Sequence, residues 1–528
     1  MGGSSSKYPD SREVATTTGP VVGRRFFATG DKPVDAFQGI PYAKPPIGDL
    51  RFRKPEAHEP WTEVRECKAF GNRGMQTTNI YEKYKYGPVS EDNLFLNVYT
   101  PTWSPPTGDA FPVMLFIHGG GFVSDSTVKY GDERVSHYLV KKDVVVVTAQ
   151  YRLGFLGFWT TGDDHCTDNV ALWDMRAVLL WVQENIRNFN GDPGNVTLFG
   201  QSAGGASVDL LSISPHTRDL FHKVIPMAGN ASALWAIKDE AVEACRRWAR
   251  DHLKIDDEGK TKEFVDKLRQ QPAGKFATGL VIPPPKDGAK PLSLTIGPRI
   301  DGSFFPAPLR ELRREAKPKP RMVGCCRYEG ILMILGNKTA TIDRFETTIA
   351  SLVPESVKDF KRKREELLKL YDHPDRTLAL IELFSDIFLN ISCLQYVHDW
   401  TEAGQNEVYL YSFDYFNEKS WGPLGWLLPL KGATHCTELA YIFGVGIVYD
   451  FTFNERDNEM AERTSTLWSN FAKTGNPNEG LPSPLPFKWE PATKDAPEKN
   501  LALDYEPQMR DVWHAGRPAK WAEVLRGE

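Results

Sequence analysis

The stretch Val196-Thr197-Leu198-Phe199-Gly200-Gln201-Ser202-Ala203-Gly204-Gly205-Ala206-Ser207-Val208 decides how the rest of the chain is read. Val196 to Phe199 is a short run of β-branched and aromatic residues, the composition of a buried strand, and Ala203 to Val208 opens a helix. Between them Gly200-x-Ser202-x-Gly204 has the spacing of a nucleophile elbow, a serine on a sharp strand-to-helix turn. So tight a turn leaves no room for bulk two residues before or after the serine. It lifts the hydroxyl clear of the sheet and aims the first amides of the helix at any negative charge that develops there. A glycine–serine turn without chemistry would carry the same five residues, so partners elsewhere must decide.

Working outward, Leu94–Tyr99, Val113–Ile117, Val144–Ala149, Val224–Met227, Arg321–Cys326 and Glu407–Tyr415 are apolar runs of strand length. Such runs suit strands covered on both faces in a largely parallel sheet. Val170–Phe189, Asp239–Leu253, Lys260–Gln271, Val357–Tyr371 and Ala461–Thr474 carry helical spacing. Shorter strand-like pieces lie at Gly19–Ala28 and Asp35–Ile40, and Ile282–Lys290, with three consecutive prolines, reads as a loop. The alternation predicts an α/β fold: a large, mostly parallel central sheet flanked by helices, with insertions. Residues 1–15 read as a flexible tail and 16–528 as one domain.

The 528 residues are 41% hydrophobic and 25% charged with a formal net charge of −5, an ordinary globular composition. No long basic run occurs, so nucleic acid is not expected as a partner. The seven cysteines are scattered without C-x-x-C spacing, and neither a metal nor a cofactor is expected. Met1-Gly2-Gly3-Ser4-Ser5-Ser6-Lys7 has no apolar core of a secretory signal, and no unbroken run of about 18 apolar residues occurs. The same N-terminus matches the N-myristoylation pattern at Gly2; the alternative is a plain Gly/Ser tail. One myristoyl chain would give only weak membrane association. The expected location is the cytoplasm.

A serine hydroxyl needs a base in contact, and the base needs a group that orients it. Behind a nucleophile elbow the order is serine, acid, histidine, each on a loop after a later strand. That order removes the histidines before Ser202, and His216, His222 and His252 lie too close to the elbow. Of His373, His398, His435 and His514, the best placed is His435, in Gly432-Ala433-Thr434-His435 after the strand Glu407–Tyr415. For the acid, Glu329 follows the strand Arg321–Cys326 in Arg327-Tyr328-Glu329-Gly330. Asp301, the rival, reads better as an Asp-Gly turn. The strand Val113–Ile117 runs into His118-Gly119-Gly120-Gly121-Phe122, whose glycines turn backbone amides towards a ligand without Cβ obstruction. Gly120, Gly121 and Ala203 are the expected oxyanion donors.

With these residues in place the chain resembles the type-B carboxylesterase/cholinesterase family of the α/β-hydrolase superfamily, from about Gly19 to Leu525. The resemblance rests on Phe37-Gln38-Gly39-Ile40-Pro41-Tyr42-Ala43, Leu50-Arg51-Phe52, Glu91-Asp92-Asn93-Leu94-Phe95-Leu96-Asn97-Val98 and the HGGGF loop. It rests further on Tyr151-Arg152-Leu153-Gly154-Phe155, the elbow, Arg327-Tyr328-Glu329-Gly330 and Gly432-Ala433-Thr434-His435. It implies an α/β-hydrolase fold, a Ser202–Glu329–His435 triad, the same oxyanion donors, and structural ion pairs Arg51–Glu91 and Arg152–Asp174.

The departures carry information. Where the family usually has a disulfide near the EDCL motif, this chain has Asn93 and Met75, which suits a reducing compartment. Gln201 replaces the usual glutamate before the nucleophile, and Ala228-Gly229-Asn230 stands where the family often has Ser-Gly-Ser. Asn79–Pro88 holds no tryptophan for a quaternary ammonium, so a choline ester is not the expected substrate. The leading expectation is a serine carboxylesterase acting on small-molecule esters through an acyl-enzyme on Ser202, with Trp235, Phe155 and Phe304 lining the acyl pocket. The alternatives are an acyltransferase that passes the acyl group to an alcohol or sugar hydroxyl, and a non-catalytic adhesion or scaffold protein.

Overall fold

The computed structural model describes residues 8–27, 32–280, 293–335, 342–480 and 483–526. Gly2 and the proline loop Ile282–Lys290 lie outside the described residues. Among those described, a thirteen-stranded sheet dominates. Its middle is parallel: Val145–Ala149, Phe111–Ile117, Gly191–Gln201, Lys223–Met227, Met322–Cys326, Tyr409–Phe413 and Asn500–Leu503 lie side by side in that order. On the far side of Val145–Ala149 the sheet continues antiparallel through Phe95–Pro101, Val34–Pro41, Pro20–Phe26 and Asp10–Ala15.

The burial of the central strands explains their unbroken apolar sequence. Val113, Leu115 and Ile117 join the core on one face of the sheet, while Met114 and Phe116 join the core on the other. Alternate side chains of a strand point to opposite faces, so a strand covered on both sides needs an apolar residue at every position. Helices Val170–Asn185 and Ala203–Ile213 contribute to the first core; Thr437–Phe443 and Glu455–Thr474 contribute to the second.

The structure departs from the sequence reading in three places that bear on the architecture. Residues 10–15, expected within a flexible tail, form an edge strand paired with Pro20–Phe26. Its pattern is faint because an edge strand facing solvent buries few side chains, here Ser11 and Val14. Asn500–Leu503 extends the parallel sheet beyond Tyr409–Phe413 and was not expected, being only four residues long. Arg376–Glu402 is a composite helix of 27 residues, long and apolar enough to cross a membrane by length and composition, yet mostly buried within the fold. Glu382, Asp386 and Asn390 interrupt its apolar run, so no single stretch betrays it.

Candidate active site

The elbow geometry follows from its glycines. Ser202 has φ 59° and ψ −125°, a left-handed backbone that a serine adopts only when its surroundings hold it there. Its amide donates to the Met227 carbonyl at 2.8 Å, tying the turn to the next strand. A Cβ on Gly204 would lie 2.1 Å from the Ile117 carbonyl oxygen, and one on Gly200 would lie 2.6 Å from the same atom. Those contacts are the steric reason for the G-x-S-x-G spacing.

Three side chains separated widely in sequence meet at this turn. The Ser202 hydroxyl donates to His435 Nε2 at 2.8 Å, and His435 Nδ1–H donates to Glu329 Oε2 at 2.6 Å. The other oxygen of Glu329, which is fully buried, accepts from the Cys326 amide at 2.7 Å. Both loops are anchored to each other, since the Tyr328 amide donates to the Ala433 carbonyl at 2.9 Å. His514, the other late histidine near the C-terminus, lies in a separate cavity. Asp301 accepts from the amides of Ser303, Phe304 and Phe305, the behaviour of a turn residue.

The glycine turn after Phe111–Ile117 faces the hydroxyl. Gly120 and Gly121 have φ of 91° and 61°, and a Cβ on Gly119 would lie 3.0 Å from Ser202 Cβ. The Tyr151 hydroxyl donates to the His118 carbonyl at 2.8 Å, and its ring stacks on the His118 imidazole at 4.5 Å, which fixes the turn. Among the described residues no backbone carbonyl accepts from the amides of Gly120, Gly121 or Ala203.

The cavity beside Ser202 and His435 is apolar and small, about 30 Å³, and is lined by Gly121, Trp235, Leu280, Leu294, Leu332, Met333 and Phe388. That is room for a water or two. Leu280 lies directly over Gly121, so that a Cβ there would fall 2.5 Å from Leu280 Cδ1. Trp235 is thus in the pocket, as expected, but Phe155 and Phe304 are not. Phe155 stacks on Trp248 and packs on Trp159; Phe304 packs on Trp173, His216 and Phe305. Both rings belong to the core, where an aromatic has the same composition as in a pocket. Leu280, Leu294, Leu332, Met333 and Phe388 were missed because single apolar residues carry no sequence mark that separates pocket from core.

Of the residues that depart from the family pattern, Gln201 reaches the imidazole. Gln201 Nε2 is 3.4 Å from His435 Nε2, and its Oε1 accepts from the Cys436 thiol at 3.3 Å. Asn230 donates to Ser392 and accepts from the Ser232 amide. A second buried carboxylate, Glu438, accepts from the Cys326 thiol at 2.8 Å, so Cys326 bonds Glu329 through its amide and Glu438 through its sulfur. Burial, reinforced by the charge of Glu329, pushes Glu438 up to about 7.

The sequence pattern of the carboxylesterase family matches residues 10–521. The chain belongs to this family. It is 38% identical to the nematode (Caenorhabditis elegans) protein named esterase cest-33, over all of this chain and 97% of that one. It is 32% identical to a duck (Anas platyrhynchos) fatty acyl-CoA hydrolase precursor, medium chain, over 89% of this chain and 86% of that one. It is 32% identical to mouse (Mus musculus) acylcarnitine hydrolase, over 98% and 92%. Like its family, the chain has the α/β-hydrolase fold and is a serine carboxylic ester hydrolase. The ion pairs implied for the family are both present and buried: Arg51 on Glu91 and Arg152 on Asp174, each with two hydrogen bonds. Gly74, the neighbour of Met75, packs on Asn93, where a Cβ would lie 3.2 Å from Asn93 Nδ2. The Asn93 amide donates to the Tyr151 carbonyl at 3.0 Å.

Proposed function

We propose that the carboxylesterase acts on neutral esters with apolar acyl groups, using Ser202 as nucleophile, His435 as general base and acid, and Glu329 to orient the imidazole. Ser202 Oγ attacks the carbonyl carbon as its proton passes to His435 Nε2. The imidazolium that forms is held by Glu329 at Nδ1. The amides of Gly120, Gly121 and Ala203 bind the oxyanion, each such donor being worth about 3 kcal/mol in the transition state. His435 then protonates the leaving alcohol, and the same nitrogen draws a proton from the water that releases the acid.

The observation that carries this reading is the continuous hydrogen-bonded chain from Ser202 through His435 to Glu329. The acyl preference rests on a lining in which, among the described residues, the only titratable side chain is His435. The small cavity requires Leu280, which is 44% exposed, to move aside as the acyl chain enters. The names of the duck and mouse relatives, for fatty acyl-CoA and acylcarnitine, agree with an apolar acyl group. A reducing compartment such as the cytoplasm is supported by seven free cysteines.

The decisive experiment is fluorophosphonate labelling and hydrolysis of p-nitrophenyl esters by wild type and Ser202→Ala. Labelling is lost in the variant and the rate falls by at least about 10⁴-fold. Equal labelling of both proteins would reject Ser202 as nucleophile.

A further inference from the structure

His514, set aside as a base, lines a cavity of about 220 Å³ together with Arg327, Tyr328, Glu382, Arg510, Val512, Ala515 and Arg517. Three guanidinium groups and an imidazole therefore converge on a space bounded by a single carboxylate. Behind the wall, Arg327 and Arg510 share Asp414 at 3.1 and 2.8 Å and Arg517 pairs with Asp386 at 2.7 Å; within the wall, Arg517 also pairs with Glu382 at 3.2 Å. Asp414 and Asp386 are 2% and 0% exposed, so they hold the arginines from the protein side. Arg517 meets Asp386 and Glu382 through all three of its nitrogens. Arg327 and Arg510 each meet Asp414 through one nitrogen, which engages few of a guanidinium's five donors.

His514 Nε2 is buried without a hydrogen-bond partner among the described residues. An unpaired buried polar atom is uncommon and calls for a ligand or water to complete it. The backbone is also held in an unusual form there: His514, Ala515 and Gly516 have φ of 43°, 58° and 76° in succession. Strain of this kind, on residues other than glycine, gathers at binding sites. The helix Arg517–Arg526 starts at the same wall, and a helix start favours negative charge.

We propose that this cavity is a binding site for a small multiply charged oxyanion, phosphate or a phosphate monoester, which enters together with a proton. The arginines supply charge-assisted bonds in the fork geometry that suits phosphate oxygens. Burial and the charges of Arg517, Arg327 and Arg510 hold the His514 imidazole well below its ordinary pKa, so it is neutral while the cavity is empty. A dianion cancels that field and accepts from Nε2–H, which raises the imidazole into the protonated range. Glu382, the remaining titratable wall group beside the Tyr328 hydroxyl, is raised by burial and takes up a proton in the same direction. The site touches the catalytic loops from outside the ester pocket. Arg327 and Tyr328 immediately precede Glu329, and the Tyr328 ring fills the space that a Cβ on Gly432 would need, at 2.6 Å.

The test is titration calorimetry of the whole chain with inorganic phosphate near neutral pH, in two buffers of different ionisation heat. Saturable one-to-one binding with net proton uptake is expected, about tenfold weaker or more in Arg510→Gln and in His514→Asn. His514→Asn also loses most of the proton uptake, and asparagine tolerates the left-handed backbone at that position. Thermal unfolding and ester hydrolysis of both variants check that the fold is intact. A parallel titration with glycerol phosphate distinguishes the source: tighter binding identifies an esterified phosphate, equal or weaker binding the free ion. No saturable heat in wild type, or equal affinity in wild type and in folded variants, would overturn the proposal.

Discussion

The loop that carries Glu329 contributes to two cavities of opposite character. Leu332 and Met333, just after the acid, line the apolar pocket beside Ser202, whereas Arg327 and Tyr328, just before it, line the basic cavity at His514. The difference shows where charge is useful. Inside the ester pocket, polarity is confined to the Ser202–His435–Glu329 chain and to backbone amides, and the surrounding low dielectric strengthens both. In the other cavity charge held in place by Asp414 and Asp386 is the recognition element, and the Nε2 of the imidazole there has no hydrogen-bond partner among the described residues. Two histidines far apart in sequence thus do different work because of what they face: His435 meets Glu329, while His514 meets arginines.

The largest effect expected on the apolar side, after loss of Ser202, comes from the glycine turn. Gly121→Ala places a Cβ at φ 61° and against Leu280, which displaces the amide from the oxyanion. The rate of acylation in single-turnover experiments falls by about 10²-fold. An unchanged rate would show that Gly121 supplies no donor and would shift that role to Gly120 and Ala203.

Next comes the buried carboxylate whose ionisation is opposed by desolvation and by Glu329. Glu438 ionises near the ordinary glutamate range in the unfolded chain but only at about 7 when folded. The folded state therefore binds more protons between those values, and this group weakens stability as pH rises from about 4.5 to about 7. Glu438→Gln removes that dependence. Measured by urea unfolding, the variant gains on wild type across this window by up to about 3 kcal/mol. A constant difference at all pH values would mean that Glu438 ionises normally beside Glu329.

A smaller effect separates pocket from core. Trp235 donates to the Phe388 carbonyl at 3.2 Å and lines the cavity, whereas Phe155 stacks on Trp248 away from it. Trp235→Ala shifts relative kcat/KM towards longer or branched acyl groups by roughly tenfold. Phe155→Ala lowers the Tm and leaves the acyl preference unchanged. If both variants changed preference equally, the distinction between the two aromatics would fail.

The catalytic centre was readable because tight turns leave sequence marks: Gly200, Gly204 and the run Gly119 to Gly121 are where a Cβ cannot fit. His435 and Glu329 could be placed by their position after strands. The sheet was readable where strands are buried on both faces, as at Val145–Ala149, and obscure where they are short or at an edge, as at Asn500–Leu503 and Asp10–Ala15. Pocket aromatics were not separable from core aromatics, since Trp235, Phe155 and Phe304 are all buried and apolar. The basic cavity left no mark at all. Arg327, Arg510, His514 and Arg517 are ordinary surface-type residues in the sequence, and only the packing of the C-terminal segment on the acid loop brings them together.

The smallest effect concerns Gln201, beside the imidazole. Gln201 Nε2 lies 3.4 and 3.5 Å from the two ring nitrogens of His435, close enough for a carboxylate there to act on the imidazole directly. In Gln201→Glu the added anion favours imidazolium over imidazole. The sign is definite: His435 must be neutral to accept the Ser202 proton, so the acid limb of the pH–rate profile moves to higher pH. Above that limb the same anion stabilises the imidazolium formed in the transition state, and kcat increases a few-fold. At acid pH the variant is slower than wild type and at alkaline pH faster, so the two profiles cross. Parallel profiles without a crossing would show that the introduced carboxylate stays protonated beside His435 and exerts no charge on the imidazole.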